Sequence, residues 1–423
     1  MKSFTMSDIN ISLKPLLLMS RIFGLIPLSF LELDIGKREV FSFSVSDVCF
    51  LLMWIVVFLA LFSLDLYFAT YGLKDIPKKI KIAFIVYAFF FSLTKIFVIV
   101  TKNFTNISNI TKILKKFLTI DQFIDRRSRI LMYKNIRLRI LKTGAILFLT
   151  QIILYPLSYF TVTGGGPIIM AILGNSLQTL SVTFNIILSV EYVSVVHMLK
   201  CRYEYFNGIL LEYINKKNMA TELPSKYKNL SLNVNIDYIE LPALSGRDLM
   251  GTARVLYGRH KINYLRVIYL KIYDSVTLIN SYFGFPILVE TVSMVIMCVS
   301  GLYYAAYTLE FDSDDSVNRL TTYITSGYLV SCCILYMSIF VWMIICCHKT
   351  TQEANKGIYF IHRISLDRDI HYSIITELDK LLSQMINMRV QFTACGLFSL
   401  NHTFLCTVFG GIITYILIMV QLN

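Results

Sequence analysis

Apolar stretches of twenty or more residues recur along the whole 423-residue chain, and no other feature limits its fold so tightly. Composition agrees: 56% of residues are hydrophobic and only 16% charged, against about 25% in an average soluble domain. Seven spans are predicted, over residues 45–69, 80–101, 140–162, 168–199, 276–308, 321–347 and 402–422. The chain therefore reads as an all-α, polytopic membrane protein. The fourth and fifth spans exceed the ~20 residues that a bilayer needs, so they should tilt or project beyond the lipid. The run Gly164-Gly165-Gly166-Pro167 makes a tight break between the third and fourth. No internal repeat argues for a transporter built from duplicated halves.

The net charge of +13 is explained by topology. Of the 40 Lys and Arg, 33 fall before the first span and in the 2–3, 4–5 and 6–7 loops, and 5 fall on the opposite side, counting Lys81 at the edge of the second span. The positive-inside rule makes the basic side cytoplasmic. The N-terminus is then inside and the C-terminus outside. The cluster Lys74, Lys78, Lys79, Lys81 is a local exception. No nucleic-acid partner is needed to account for the charge. The first thirty residues do not read as a signal peptide, because their short apolar run is broken by Arg21 and lacks a small-residue cleavage site.

Two loops carry structure of their own. The 4–5 loop is polar and mixed in charge; residues Lys216 to Leu249 read as loosely structured, and Arg254 to Lys271 have a helical period. The 6–7 linker places Ile375, Leu378, Leu381, Leu382, Met385 and Met388 on one helical stripe. It is too charged to span, so it should pack on cytoplasmic helix extensions or on other subunits. The acidic turn Glu310, Asp312, Asp314, Asp315 is external, either concentrating cations or simply solvated.

The nine cysteines include no C-x-x-C pair, so neither a zinc nor a redox site is expected, and burial as small hydrophobes is the default. No H-E-x-x-H, G-x-S-x-G or Walker loop appears, and the six His are scattered. Enzyme activity, a cofactor and a bound metal are not expected.

The C-terminal residues carry the most specific signal. Phe392-Thr393-Ala394-Cys395-Gly396 is followed by Thr414-Tyr415-Ile416-Leu417-Ile418-Met419-Val420-Gln421-Leu422. This pattern resembles the insect gustatory receptor family, whose signature is Thr-Tyr, five hydrophobic residues, then Gln-Phe; Leu422 stands where Phe is usual. Ser20-Arg21-Ile22-Phe23-Gly24-Leu25-Ile26-Pro27 is also similar to that family's N-terminal block. The resemblance implies a homotetrameric, ligand-gated, cation-conducting channel opened by a small-molecule tastant, with hetero-assembly with related receptors as the alternative. It implies that four seventh spans surround one pore, that each subunit holds a pocket among spans 2–6, and that cytoplasmic helices make the main intersubunit contact. The corresponding division is an N-terminal cytoplasmic segment (1–44) and spans 1–6 with the pocket (45–347), of which 200–271 is cytoplasmic loop and helix extension. Cytoplasmic anchor helices (348–401) and the pore-lining seventh span (402–423) follow. The Gln391–Asn401 block most resembles the branch of fructose-type sugar receptors and their broadly tuned neighbours, which answer to bitter compounds or nucleosides.

On their own, Thr414 and Gln421 lie seven apart, two helical turns, on nearly one face with Thr407, Gly411 and Ile418. Polar groups on a terminal span should avoid lipid. Fourfold repetition would place a ring of Gln421 at the outer mouth and an apolar ring of Ile418 one turn below. Tyr415 and Leu422 complete the candidate gate. Hydrogen bonding of Thr414 and Gln421 to neighbouring helices is the alternative. Gly410 and Gly411 permit either a bend or close packing. Candidate ligand contacts in the outer halves are Tyr155, Tyr159, Asn175, Gln178, Tyr303, Tyr307, Tyr323 and Ser326. Aromatic, amide and hydroxyl groups of this kind suit a sugar; an interfacial tyrosine belt accounts for the tyrosines equally simply. Lys95, Glu191 and Glu290 are charges within spans; Lys95 should pair with one of the glutamates, as a static pair or a gating one. A seven-helix G-protein-coupled receptor is the distant rival. Its Asp-Arg-Tyr and Asn-Pro-x-x-Tyr features are absent, and it would expose the sequons at Asn103, Asn106 and Asn109 to glycosylation.

Overall fold

A computed structural model of the chain describes residues 7–27, 44–67, 78–105, 107–162, 168–215, 248–310, 316–366 and 372–421. Within them are the helices α1 (Ser7–Ile22), α2 (Val45–Tyr67), α3 (Lys78–Val100), α4 (Ile107–Asp121), α5 (Arg126–Val162) and α6 (Ile168–Asn215). Then come α7 (Asp248–Glu310), α8 (Ser316–Ser365), α9 (Tyr372–Asn387), a hairpin of β1 (Thr393–Ala394) and β2 (Phe398–Ser399), and α10 (His402–Gln421). A π-turn, Thr101–Thr105, extends α3. The predicted glycine break at 164–167, the middle of the 4–5 loop (216–247) and the acidic turn beyond Glu310 (to 315) lie outside the described residues.

Every predicted span corresponds to a helix, and the helices α5 to α8 run far past the spans. At 1.5 Å per residue the 63 residues of α7 extend about 95 Å, against about 30 Å of hydrocarbon. The same holds for α6 with 48 residues and α8 with 50. The surplus lies at the basic ends. There Tyr203, Phe206 and Ile209 of α6, Ile262, Leu265 and Tyr269 of α7, and Ala354 and Ile361 of α8 are buried in one core. The linker helix predicted from the stripe at 375–388 is α9; it buries Ile374, Leu378, Leu381 and Met385 against this core. Gly357 of α8 lets it approach, because a Cβ there would stand 2.6 Å from the Met385 methyl.

Helix α6 is the axis of the bundle, with nearly every residue from Ser181 to Leu210 buried. Its buried polar groups are therefore all in need of partners. Arg202 donates to Asp121 at 2.7 Å, to the Tyr133 hydroxyl at 3.0 Å and to the Met198 carbonyl at 2.8 Å, and lies over the Phe117 ring. The Tyr133 hydroxyl also donates to Asp121. These groups fasten the end of α4 and the start of α5 to α6. Burial raises the Tyr133 phenol well above its ordinary value, so it stays a donor. Asn207 donates to the Glu353 carbonyl at 2.6 Å and so ties α6 to α8.

The N-terminal block Ser20–Pro27 folds into a plug. Leu25 and Ile26 are buried and Phe23 stacks on Trp54. Gly24 has φ +70°, and a Cβ there would stand 2.8 Å from the Trp54 ring, so the position accepts only glycine. The Gly24 carbonyl accepts the Asn103 amide at 2.8 Å. Asn103 is thus fully buried with its nitrogen engaged, which leaves that sequon no room for a glycan. Of the nine cysteines, all free, Cys298, Cys332, Cys333, Cys346 and Cys347 are buried as expected, whereas Cys49, Cys395 and Cys406 are exposed.

Candidate functional site

Helix α10 begins on a built foundation. The antiparallel pairs Thr393–Ser399 and Ala394–Phe398 close the hairpin, and Cys395 (φ 51°) and Gly396 (φ 74°) make its reversal in left-handed conformations. Asn280 of α7 clamps it: its amide donates to the Gln391 carbonyl at 2.8 Å and its oxygen accepts the Thr393 N–H at 3.2 Å. Gly284, one turn further along α7, leaves space for the Cys395 backbone. The Phe392–Gly396 motif is therefore the joint between α7 and the last helix. Asn401 caps α10 by accepting the Phe404 N–H at 2.9 Å. Phe404 stacks on Phe398 at 4.0 Å and meets Phe340 of α8 edge-on at 6.1 Å.

Above this base, among the described residues, α10 touches its own chain along one stripe. Phe404, Leu405, Val408, Ile412 and Ile416 pack on the core. Thr414, Tyr415 (60%), Ile418 (44%) and Gln421 are exposed. At 100° per residue, the face of Thr407, Gly411, Thr414, Ile418 and Gln421 lies about 130° around the helix from the packed stripe. The polar face thus points away from the subunit. Thr407 and Thr414 satisfy their hydroxyls on their own helix, through the Thr403 and Gly410 carbonyls at 3.1 and 2.9 Å. Gln421 is the polar group on which the face depends. A Cβ at Gly410 or Gly411 would meet nothing within 4 Å, so neither glycine serves packing inside the subunit. Leu422 lies outside the described residues.

Of the candidate ligand contacts, Tyr303 and Ser326 are buried between helices, and Tyr323 is exposed on α8. Tyr155, Tyr159, Asn175, Gln178 and Tyr307 lie on helical backbone, and their side chains fall outside the described residues. Deeper in the bundle, the amide of Asn185 on α6 faces the Tyr336 hydroxyl of α8 at 3.4 Å.

The intramembrane charges resolve into one bonded ion pair and one electrostatic contact. Lys95 of α3 is buried and interacts with Glu290 of α7. Glu191 of α6 is taken by Lys102, at 2.7 Å, with both side chains almost wholly buried. Ser20 donates to the other carboxylate oxygen at 3.1 Å. The Lys102 ammonium also lies 4.9 Å from the centre of the Tyr282 ring and 5.0 Å from that of Phe283. Lys95 on α3 and Lys102 on the π-turn that extends it are seven residues apart, about two turns along the chain. Sequence reasoning missed Lys102, which reads as one more basic loop residue, and it missed Asn280 and Gly284. The Phe-x-Ala-Cys-Gly block was the available signal for the last two.

The chain matches the family model described as 7tm chemosensory receptor over residues 13–422. It is 24% identical over 248 residues to the gustatory receptor for sugar taste 43a of Drosophila melanogaster, covering 55% of each chain. To the fruit fly's gustatory receptor for bitter taste 66a it is 26% identical over 170 residues, 38% of this chain and 30% of that one. These matches span about a third to half of the length of the curated relatives. The fold is similar to the insect olfactory receptor OR5 from Machilis hrabei, free (TM-score 0.62, 12% identity) and in complex with eugenol (0.61, 11%). The OR5 match covers 97% of this chain and 98% of the other. With the match running from the N-terminal plug to the last helix, this multi-pass protein of the cell membrane belongs to the 7tm chemosensory receptor family.

Proposed function

We propose that four copies of the chain form a non-selective cation channel that a small tastant opens. The N-terminus is cytoplasmic and the C-terminus extracellular. One observation carries the reading: α10 binds its own subunit by a single stripe and turns Gln421 outward, on a face that lipid would not tolerate. Fourfold symmetry supplies the missing surroundings, a water-filled axis. Ile418 forms the narrow apolar ring that gates by dewetting, and the Gln421 amides stand in for water around the ion. Tyr415 and Leu422 are the further proposed gate residues. No acidic side chain lies on this face, so discrimination among cations is weak.

The ligand enters from outside among spans 2–6, where Tyr155, Tyr159, Asn175, Gln178, Tyr303, Tyr307, Tyr323 and Ser326 are the proposed contacts. It opens the pore by binding the open state more tightly. A hundredfold preference per subunit is about 2.7 kcal/mol, within reach of two or three hydrogen bonds. Four such sites give a steep response. A sugar such as fructose is favoured by the tyrosine, amide and hydroxyl content of the pocket, and the partial likeness to a sugar-taste receptor supports it. The likeness to a bitter-taste receptor supports the second reading, a bitter compound or nucleoside. The anchor division is 348–401, held together by α9 and the core beneath it.

The test is expression in a receptor-null cell with calcium imaging and patch recording against sugars, bitter compounds and nucleosides. Ligand-evoked, non-saturating cation current is expected. Gln421→Ala should change conductance or relative permeability at unchanged surface level; wild-type permeation in that variant would remove Gln421 from the pore.

A further inference from the structure

Helix α4 buries Ile110, Ile113, Leu114, Phe117 and Ile120 and turns its other face outward. It runs antiparallel to α7: the Asn109 amide meets the Ser281 hydroxyl at 3.2 Å, and seven residues later Lys116 pairs with Asp274 at 2.6 Å. Between the two helices lies a groove of about 500 Å³ lined by Lys112, Lys115, Lys116, Asp274, Thr277 and Leu278. Asp274 neutralises one lysine. Lys112 and Lys115 are exposed, and among the described residues no carboxylate pairs with either. The groove therefore holds a net positive charge of two. Its level is fixed by α7, whose apolar span begins near residue 276, so the lysines stand where hydrocarbon gives way to headgroups. Leu278 marks the apolar end.

We propose that this groove binds the headgroup of an anionic, phosphorylated phospholipid of the inner leaflet. The placement of α4 at the inner leaflet rests on the cytoplasmic orientation of the basic side proposed above; pore formation and ligand class do not enter. Lysine ammonium groups bind phosphate as point charges, with three donors each. Two of them, set one turn apart on an exposed face, match a headgroup bearing more than one phosphate. The carboxylate of Asp274 opposes it, so removing that carboxylate should tighten binding.

The test uses the full chain purified in a neutral detergent and fluorescently labelled phosphatidylinositol 4,5-bisphosphate, with labelled phosphatidylcholine as the control. Binding is followed by fluorescence anisotropy. The bisphosphate lipid should bind in a salt-sensitive manner and the control should not. Lys112→Gln with Lys115→Gln should weaken binding about thirty-fold, from about 1 kcal/mol per surface lysine. Asp274→Asn should strengthen it. Melting curves confirm that the variants remain folded, since both lysines are on the surface. Equal affinity of wild type and the double lysine variant would overturn the proposal. So would displacement by water-soluble inositol trisphosphate at the concentration at which the unlabelled lipid displaces, because the site would then take a free anion. Neither outcome depends on evoked current, so failure here leaves the channel reading standing.

Discussion

Lys102→Met tests how the N-terminal plug, α3, α6 and α7 are joined. In the native chain Lys102 sits 2.7 Å from Glu191 with 0% and 3% side-chain exposure, so water screens neither charge. Removing the ammonium leaves a buried carboxylate held by the Ser20 hydroxyl at 3.1 Å. Breaking such a pair from one side costs about 3–5 kcal/mol. Loss of the contacts with Tyr282 and Phe283 adds about 1 kcal/mol, and methionine returns part of this through packing. The net expectation is about 4 kcal/mol. Changing both partners, Lys102→Met with Glu191→Gln, removes the orphan charge and keeps the acceptor for Ser20; it should cost about 1 kcal/mol. Thermal unfolding of the detergent-purified protein reads both, and adding Glu191→Gln to Lys102→Met should recover about 3 kcal/mol of the loss. A single variant as stable as wild type, or a double variant as damaged as the single, would refute the reasoning, since either means that the pair is solvated or that Lys102 acts through packing alone.

Other changes probe other joints. Asn103→Gln should lower stability by about 2 kcal/mol through loss of the bonds to Gly24 and Ile99, and glycosidase treatment of wild type should produce no gel shift from that site. Gly284→Ala places a Cβ 3.0 Å from the Cys395 backbone nitrogen, and should cost about 1–3 kcal/mol with protease sensitivity appearing at the hairpin. Arg202→Lys should destabilise by about 3 kcal/mol in thermal unfolding, because an ammonium cannot reach Asp121, Tyr133 and the Met198 carbonyl together or lie flat on Phe117.

The sequence carried the spans and the amphipathic α9 plainly, because apolar length and 3.6-residue period are local signals. It also signalled that spans 4 and 5 tilt or project, and α6 and α7 run well past the span length. The period of α4, with Ile110, Ile113, Leu114, Phe117 and Ile120, is equally local but sits among the lysines of the 2–3 loop. Pairings were harder to read. Lys95 had two candidate partners by depth, and the choice of Glu290 follows from the neighbour that Lys102, 89 positions before Glu191, had already claimed. Nothing in a one-dimensional pattern shows that Lys102 enters the core, because the π-turn that carries it forms at the end of a span where a basic residue is unremarkable. The last helix was legible as a face, through Thr414, Ile418 and Gln421. What the subunit adds is that this face is turned away from the described helices of its own chain.

The central claim is that four copies set these faces around a shared axis. Single-particle imaging of the purified full-length assembly in lipid nanodiscs tests it most directly. The account predicts fourfold symmetry with the Gln421 amides within a few ångströms of the axis. A monomer, or α10 helices at the periphery facing lipid, would contradict it.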